Sequence, residues 1–575
     1  MIPLRVLWLW LGVMAVRWLA ALPITEPRIF RDELLHWEMA KAFIAHQPFL
    51  LFGQPVDTPA VLYPVVLSAV FWVDHARIAF DLARGINAAC MTAVIFPTYV
   101  LAREFGPPPA AFAAAALAAL VPGGTYSALI MEESLYYPLF VLACWLCFRS
   151  LTGGGVRDGV ACGVVLCLTY FTKPLALLLV AGYGLSLLAW AGLQWKAGTP
   201  LRNQLQLLAP RLLPLVCVAI ALVLRNVLAG PGQVPSSASE VVLSRFYAQE
   251  AHGPLLPPVL PMLLVVLALL SALALGTGVL PLVTLPGMWT AARRDPRRAW
   301  FIGFTLLVLV IYLLGIARHT LLLNDTPKVQ ERYLFALAPL LIVATLTSSS
   351  LPVAWGAAAV VLAAIIIPLG PLAGHLLPRA MDAPSLALIW AIGRRLGAGP
   401  ACLFAAGAAA TVLVGALRSR SLVARMAWVA ALPLALNLGW YLLQYRSSTL
   451  EPIWQVVRGL ERAMKPGDRV AVVVSDTSEA GQNLALYAKF WLDGRSTGYW
   501  TGGDPIPWYL DSIGPARDAA RRTRANYLVG GPALRLSCPS AQPVNDAHPE
   551  VRPPLLILQV PPGGCGAPAD TAAAR

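Results

Sequence analysis

The strongest constraint on this chain is its succession of apolar runs, each long enough to cross a lipid bilayer and separated by short polar loops. A spanning helix needs about 20 apolar residues. Runs of that kind cover 4–22, 80–103, 108–124, 132–150, 156–171, 174–194, 208–228, 258–288, 299–317, 333–348, 353–370, 400–417 and 423–444. They predict about thirteen spans. Hydrophobic residues make up 58% of the sequence and charged residues 13%, whereas about a quarter of a soluble domain is charged. Lipid is therefore the expected solvent and a polytopic α-helical membrane protein the expected fold. Ala20–Ala21 resembles a signal-cleavage site, but the run before it is long and many spans follow, so a retained helix is expected. Residues 60–73, bracketed by Pro59 and Pro64, and residues 384–397, with Arg394 and Arg395, predict helices lying at the membrane interface.

A net charge of +14 would suggest nucleic acid in a soluble protein. Here the basic residues sit in alternate short loops, which is a topology signal. With the N-terminus inside, the inner loops hold Arg103, Arg149 and Arg157, Lys196, Arg202 and Arg211, Arg293 to Arg298, and Arg418 to Arg425. One inner loop, 349–352, lacks a basic residue. An odd number of spans then puts the tail outside, in a cell inner (plasma) membrane. The division expected is a transmembrane domain over 1–446, with an outer loop at 23–79, and a small extracytoplasmic α/β domain over 447–575. In the tail, 468–476, 495–500, 525–530 and 555–560 read as strands and 479–492 as a helix. Cys144 and Cys147 share a helix face with no histidine nearby, which favours packing over metal binding. Cys538 and Cys565 could pair if the tail lies outside.

Carboxylates are scarce, 29 in 575 residues, so an acidic pair in the first outer loop stands out. Asp32 and Glu33 open a stretch of helical period over 32–45, with His36 on the face of Asp32. The pair reads as a general base or charge anchor, or as the acidic first turn of that helix, and the two roles are compatible. Glu132 and Glu133 open a later span. Lys173, Arg225, Arg318, His319, Lys328 and Arg332 lie on the predicted outer side, against the positive-inside tendency. Snorkelling or ion pairing, for Arg332 with the neighbours of Glu331, accounts for some of them. A phosphate accounts for others, because arginine forks two hydrogen bonds to its oxygens. Tyr63, Tyr136, Tyr137 and Tyr333 mark the outer edges as an aromatic belt or as sugar-stacking rings. The sequence holds no P-loop, HExxH, GxSxG or His/Cys ligand cluster, which argues against an ATP-driven pump, a zinc protease and a serine hydrolase.

In order, the motifs are Arg31-Asp-Glu-Leu-Leu-His-Trp-Glu-Met-Ala40, Thr58-Pro-Ala-Val-Leu-Tyr-Pro64, Glu133-Ser-Leu-Tyr-Tyr-Pro-Leu-Phe140, Lys173-Pro174 and Glu331-Arg-Tyr-Leu-Phe-Ala-Leu-Ala-Pro339. Together they resemble the C-type glycosyltransferases that use polyprenyl-phosphate sugars, the group of the protein O-mannosyltransferases and the lipid A aminoarabinose transferase. The resemblance covers roughly 1–345. It implies transfer of a sugar from a polyprenyl-phosphate donor to a glycan, lipid or protein acceptor outside the membrane. It implies Asp32 and Glu33 as the catalytic pair, with Asp32 the base, and a donor phosphate held by Arg332, Lys173 and Arg318. His36, Glu133, Tyr63, Tyr137 and Tyr333 would then line the substrates. Relatives often carry a lysine before the Pro-containing stretch, where Asp57-Thr58 stand here, so the donor pocket is expected to differ from that of the aminoarabinose enzyme. Some C-type relatives use a divalent cation such as Mg or Mn and others do not. A transporter or flippase of lipid-linked sugars is the alternative, but it calls for charges near mid-membrane, and the charges here lie at the rim.

Overall fold

The structure, a computed structural model, describes residues 2–24, 27–28, 30–47, 49–51, 54–55, 58–73, 76–153, 155–228, 257–292, 295–323, 328–347, 358, 361, 382–447, 470–473, 527–530, 542–543 and 556–559. Among these, nine helices are long and apolar enough to cross a membrane: Leu4–Ala21, Arg77–Arg103, Glu133–Thr152, Ala176–Lys196, Leu201–Val227, Val259–Gly276, Pro296–Leu322, Ala398–Arg418 and Leu422–Tyr445. A tenth is reached if Pro108–Leu120 and Pro122–Ala128, bent by 57°, count as one broken span.

The shortfall from thirteen has local causes. Val156–Thr172 is helical as expected but has 17 residues. The run 258–288 supplies one span in either tally but divides into two helices, Val259–Gly276 and Leu280–Ala292. The chain turns between them at Gly278 and Val279, with φ of 75° and 67°. Gly278 tolerates that backbone, and its missing Cβ leaves room for the Val429 carbonyl. The run 333–348 begins as two 3-10 turns, Glu331–Tyr333 and Phe335–Leu337, and only Ala338–Leu346 is α-helical. The expected span 353–370 lies almost wholly outside the described residues.

The chain divides into two compact units. The first comprises Met1–Ala21, Asp57–Tyr63 and Gly85–Leu443. Its helices approach through small residues, as membrane helices must when apolar surface gains nothing from leaving lipid. Helix Val156–Thr172 packs between Glu133–Thr152 and Leu201–Leu228. Gly159 and Gly163, four residues apart, meet the Pro210 carbonyl and Cys217. A Cβ on Gly163 would stand 2.6 Å from the Cys217 Cβ. Cys144, Cys147 and Cys162 are buried in this region. The Cys147 and Cys162 sulfurs lie 3.5 Å apart as packed thiols. Arg17, buried in the first helix, donates to the Ala119 carbonyl at 2.6 Å. That contact answers a carbonyl at the broken end of Pro108–Leu120, whose last turn cannot bond within the helix. Helix Pro384–Leu396, expected at the interface, packs against Val259–Gly276 and Ala398–Arg418.

The second unit comprises Leu22–Val56, Pro64–Arg84 and Gln444–Arg575. The acidic-pair helix runs Phe30–Ile44, two residues earlier than its apolar period predicts. It packs on the 3-10 turn Ser68–Trp72, where the buried Trp37 ring meets Phe71 edge-on at 4.5 Å. Arg84 is fully buried and bonds the Ile24 carbonyl and Asp81. The tail contributes a four-stranded sheet. Val470–Val473 pairs parallel with Tyr527–Gly530, and Leu556–Gln559 joins Tyr527–Gly530 to Gln542–Pro543 by antiparallel pairing. Three of these strands fall within expected runs, while Gln542–Pro543 has no strand pattern in the sequence. The expected strand 495–500, the helix 479–492 and the two tail cysteines lie outside the described residues.

Candidate active site

In the first unit, three segments far apart in sequence meet around one aromatic ring. Lys173 follows the last residue of helix Val156–Thr172. Glu133 opens helix Glu133–Thr152, and Tyr333 lies in the turn Glu331–Tyr333. The Lys173 ammonium stands 4.6 Å from the Tyr333 ring centroid and the Arg332 guanidinium 4.9 Å from it. Arg332 also donates to the Tyr333 hydroxyl at 3.0 Å. The His319 ring meets Tyr333 edge-on at 5.5 Å, near the end of helix Pro296–Leu323, with Arg318 beside it in sequence. The motif order thus translates into proximity for Lys173, Glu133, Arg332 and Tyr333, and His319, one of the basic residues outside the motifs, joins them.

The charges in this cluster are paired in a way that spacing does not reveal. Lys173 bonds Glu133 at 2.5 Å and Glu132 at 3.0 Å, and Glu133 is fully buried. Burial alone would lower the pKa of Lys173, but the carboxylates of Glu133 and Glu132 outweigh it and hold the pKa above its ordinary value. Lys173 therefore stays charged and is already answered by two carboxylates. Arg332 pairs with Asp382, Nε to Oδ1 at 3.7 Å, and its backbone N–H donates to the Asp382 carbonyl at 3.2 Å. Glu331 turns instead to Ser385, accepting the backbone N–H at 2.8 Å and the hydroxyl at 2.5 Å. Burial lifts the pKa of Glu331 to about 8, with the two Ser385 bonds opposing the shift. Phe335 anchors the same segment on Gly123, where a Cβ would collide with its ring.

Other expected site residues have structural partners. The Tyr63 hydroxyl donates to Asn87 at 3.0 Å, and Asn87 donates to the Leu129 carbonyl. Tyr137 donates to the Ala118 carbonyl at 2.9 Å and packs against Phe335. Arg225 donates to the Tyr170 hydroxyl at 2.9 Å. In the second unit, Glu33 is fully buried and its carboxylate accepts the Arg28 backbone N–H. Asp32 is half-buried and His36 buried. Both acids lie in the first turn of their helix, where the dipole favours negative charge. Asp382 and Ser385 escape a reading of the sequence. They are 50 or more residues from the turn they touch, in a stretch without a motif. Among the described residues no three His, Cys, Asp or Glu side chains converge as metal ligands.

Residues 75–223 match the family of dolichyl-phosphate-mannose-protein mannosyltransferases. That segment holds Glu133 and Lys173. The fold agrees with the likeness drawn from the motifs. The chain is similar to ArnT from Cupriavidus metallidurans bound to undecaprenyl phosphate, with a TM-score of 0.58 and 15% identity over 96% of this chain and 97% of that one. The apo state of the same protein gives 0.56 and 16% over the same shares. The Archaeoglobus fulgidus oligosaccharyltransferase is a more distant likeness, at 0.45 and 13% over 91% of this chain and 69% of that one. No curated protein matches.

Proposed function

We propose that this protein transfers a sugar from a polyprenyl-phosphate donor to an acceptor on the extracytoplasmic face of the membrane. The observation that carries the reading is the convergence of Lys173, Arg332 and His319 on Tyr333. The similar ArnT structure, bound to undecaprenyl phosphate, supports a lipid phosphate as the leaving group. Arg332 and Arg318 supply the charge that stabilises the departing phosphate. Lys173, held by Glu132 and Glu133, fixes the Tyr333 ring. Asp32 is the general base that takes the proton of the acceptor hydroxyl, and direct displacement inverts the anomeric centre. Its half-exposed carboxylate suits that role better than Glu33, which is buried against Arg28.

In this reading residues 1–446 form the transferase domain, with about thirteen spans, and 447–575 a small extracytoplasmic α/β domain. The flippase alternative predicts movement of the donor without chemistry. Incubating the purified protein in vesicles with a radiolabelled polyprenyl-phosphate sugar and a cell-envelope extract separates the two. Label in a water-soluble or newly glycosylated acceptor supports transfer, and label that only changes leaflet refutes it.

A further inference from the structure

The turn carrying Arg332 and Tyr333 has no regular secondary structure of its own beyond three residues. A flexible turn would place a guanidinium and a ring loosely, and a phosphate site loses affinity when its donors are not held. What holds this one is the N-terminus of helix Pro384–Leu396. Its cap residue, Ala383, brings no side-chain acceptor to the first turn. Glu331 takes that place from another part of the chain. One oxygen accepts the Ser385 N–H and the other the Ser385 hydroxyl. One residue on, the Arg332 N–H is bonded to the Asp382 carbonyl. Consecutive residues of the turn are therefore fastened to residues 382 and 385, either side of the helix start. Gly276, the last residue of Val259–Gly276, closes the contact from behind. A Cβ there would stand 2.7 Å from the Ser385 hydroxyl oxygen and 3.7 Å from a Glu331 carboxyl oxygen. No larger side chain fits without turning the hydroxyl away.

We infer that Ser385 is a positioning residue, which acts through Glu331 to aim Arg332 and Tyr333 at the donor phosphate. The inference rests on the proposed role of Arg332. The clasp works with Glu331 protonated or ionised, because Ser385 contributes donors in either state. Ser385→Ala removes one donor, and Gly276→Ala displaces the same hydroxyl without altering the turn or the helix start. Neither changes a residue expected to touch phosphate.

The test measures binding of undecaprenyl phosphate to the full-length protein in lipid nanodiscs, alongside its melting temperature. Arg332→Ala is the control. Loss of one clasping hydrogen bond should weaken binding about three- to tenfold in both Ser385→Ala and Gly276→Ala. Ser385→Thr, which keeps the hydroxyl, should bind as the wild type does. If Arg332→Ala binds weakly but Ser385→Ala and Gly276→Ala bind normally, the clasp does not position the site. A fall in melting temperature with unchanged binding overturns the proposal in the same way, since the contact would then serve only stability. If Arg332→Ala itself binds normally, the phosphate reading fails and the clasp proposal falls with it.

Discussion

At neutral pH the Glu331 carboxyl keeps its proton, because burial raises its pKa to about 8 against the two Ser385 hydrogen bonds. The unfolded chain releases that proton near the ordinary glutamate value of 4.5. Between these values the folded state binds the extra proton, so stability falls as pH rises through the window. Glu331→Gln should flatten that slope. Melting curves from about pH 5 to 9 should show the wild type losing on the order of a few kcal/mol more than the variant. Equal slopes would mean that Glu331 is ionised throughout. The pKa of Lys173 is raised as well, but there burial is outweighed by the carboxylates of Glu133 and Glu132, so the group is held charged rather than neutral. Lys173→Met should leave two buried acids without their cation and destabilise the protein by about 3–5 kcal/mol. Replacing all three by apolar residues should recover much of that loss. A Lys173→Met protein that melts with the wild type would show that the ion triad carries no structural weight.

Among the elements, helix Val156–Thr172 depends most on what it lacks. Gly159 and Gly163 admit the Pro210 carbonyl and the Cys217 side chain, and the helix sits between two others without room to retreat. Gly163→Ala should cost about 1–3 kcal/mol through overpacking, read as a lower melting temperature in detergent. Gly184→Ala, mid-helix in Ala176–Lys196 with nothing within 4 Å of its would-be Cβ, is the control and should not lower the melting temperature. The helix is visible in the sequence as a run of apolar residues, but its glycine face is not, because either glycine could equally have faced lipid. The same holds for 258–288. Length and hydropathy mark it as one span, yet the turn at Gly278 and Val279 is decided by the Val429 carbonyl, more than 100 residues away.

At the scale of the whole molecule, the apolar runs are legible because each satisfies its own backbone in lipid and needs no partner to be recognised. The motif order is legible as well, and it brings Lys173, Glu133, Arg332 and Tyr333 forward before any contact is known. The pairing is not. Glu133 lies 40 residues from Lys173 and Glu331 lies 54 from Ser385, and neither separation carries a period. Asp382 and Ser385 stand in a segment with no chemical signature, so only the fold brings them to the turn. Sidedness is the remaining expectation of this scale. With an odd number of spans, alkaline phosphatase fused after residue 575 should be active and a fluorescent protein at the same point dark. The reverse pattern would place the tail in the cytoplasm and move the proposed chemistry to the wrong face.

The most direct measurement of the central claim is label transfer by wild-type protein and Asp32→Asn side by side. Both would be purified in equal amounts and supplied with a radiolabelled polyprenyl-phosphate sugar and envelope acceptor. A positioned general base contributes about a hundred- to ten-thousandfold. The wild type should transfer label, and Asp32→Asn should lose activity by a factor of that order while remaining folded. Near-normal turnover in Asp32→Asn would contradict the assignment of the base, and no transfer by the wild type with any envelope acceptor would contradict the enzyme itself.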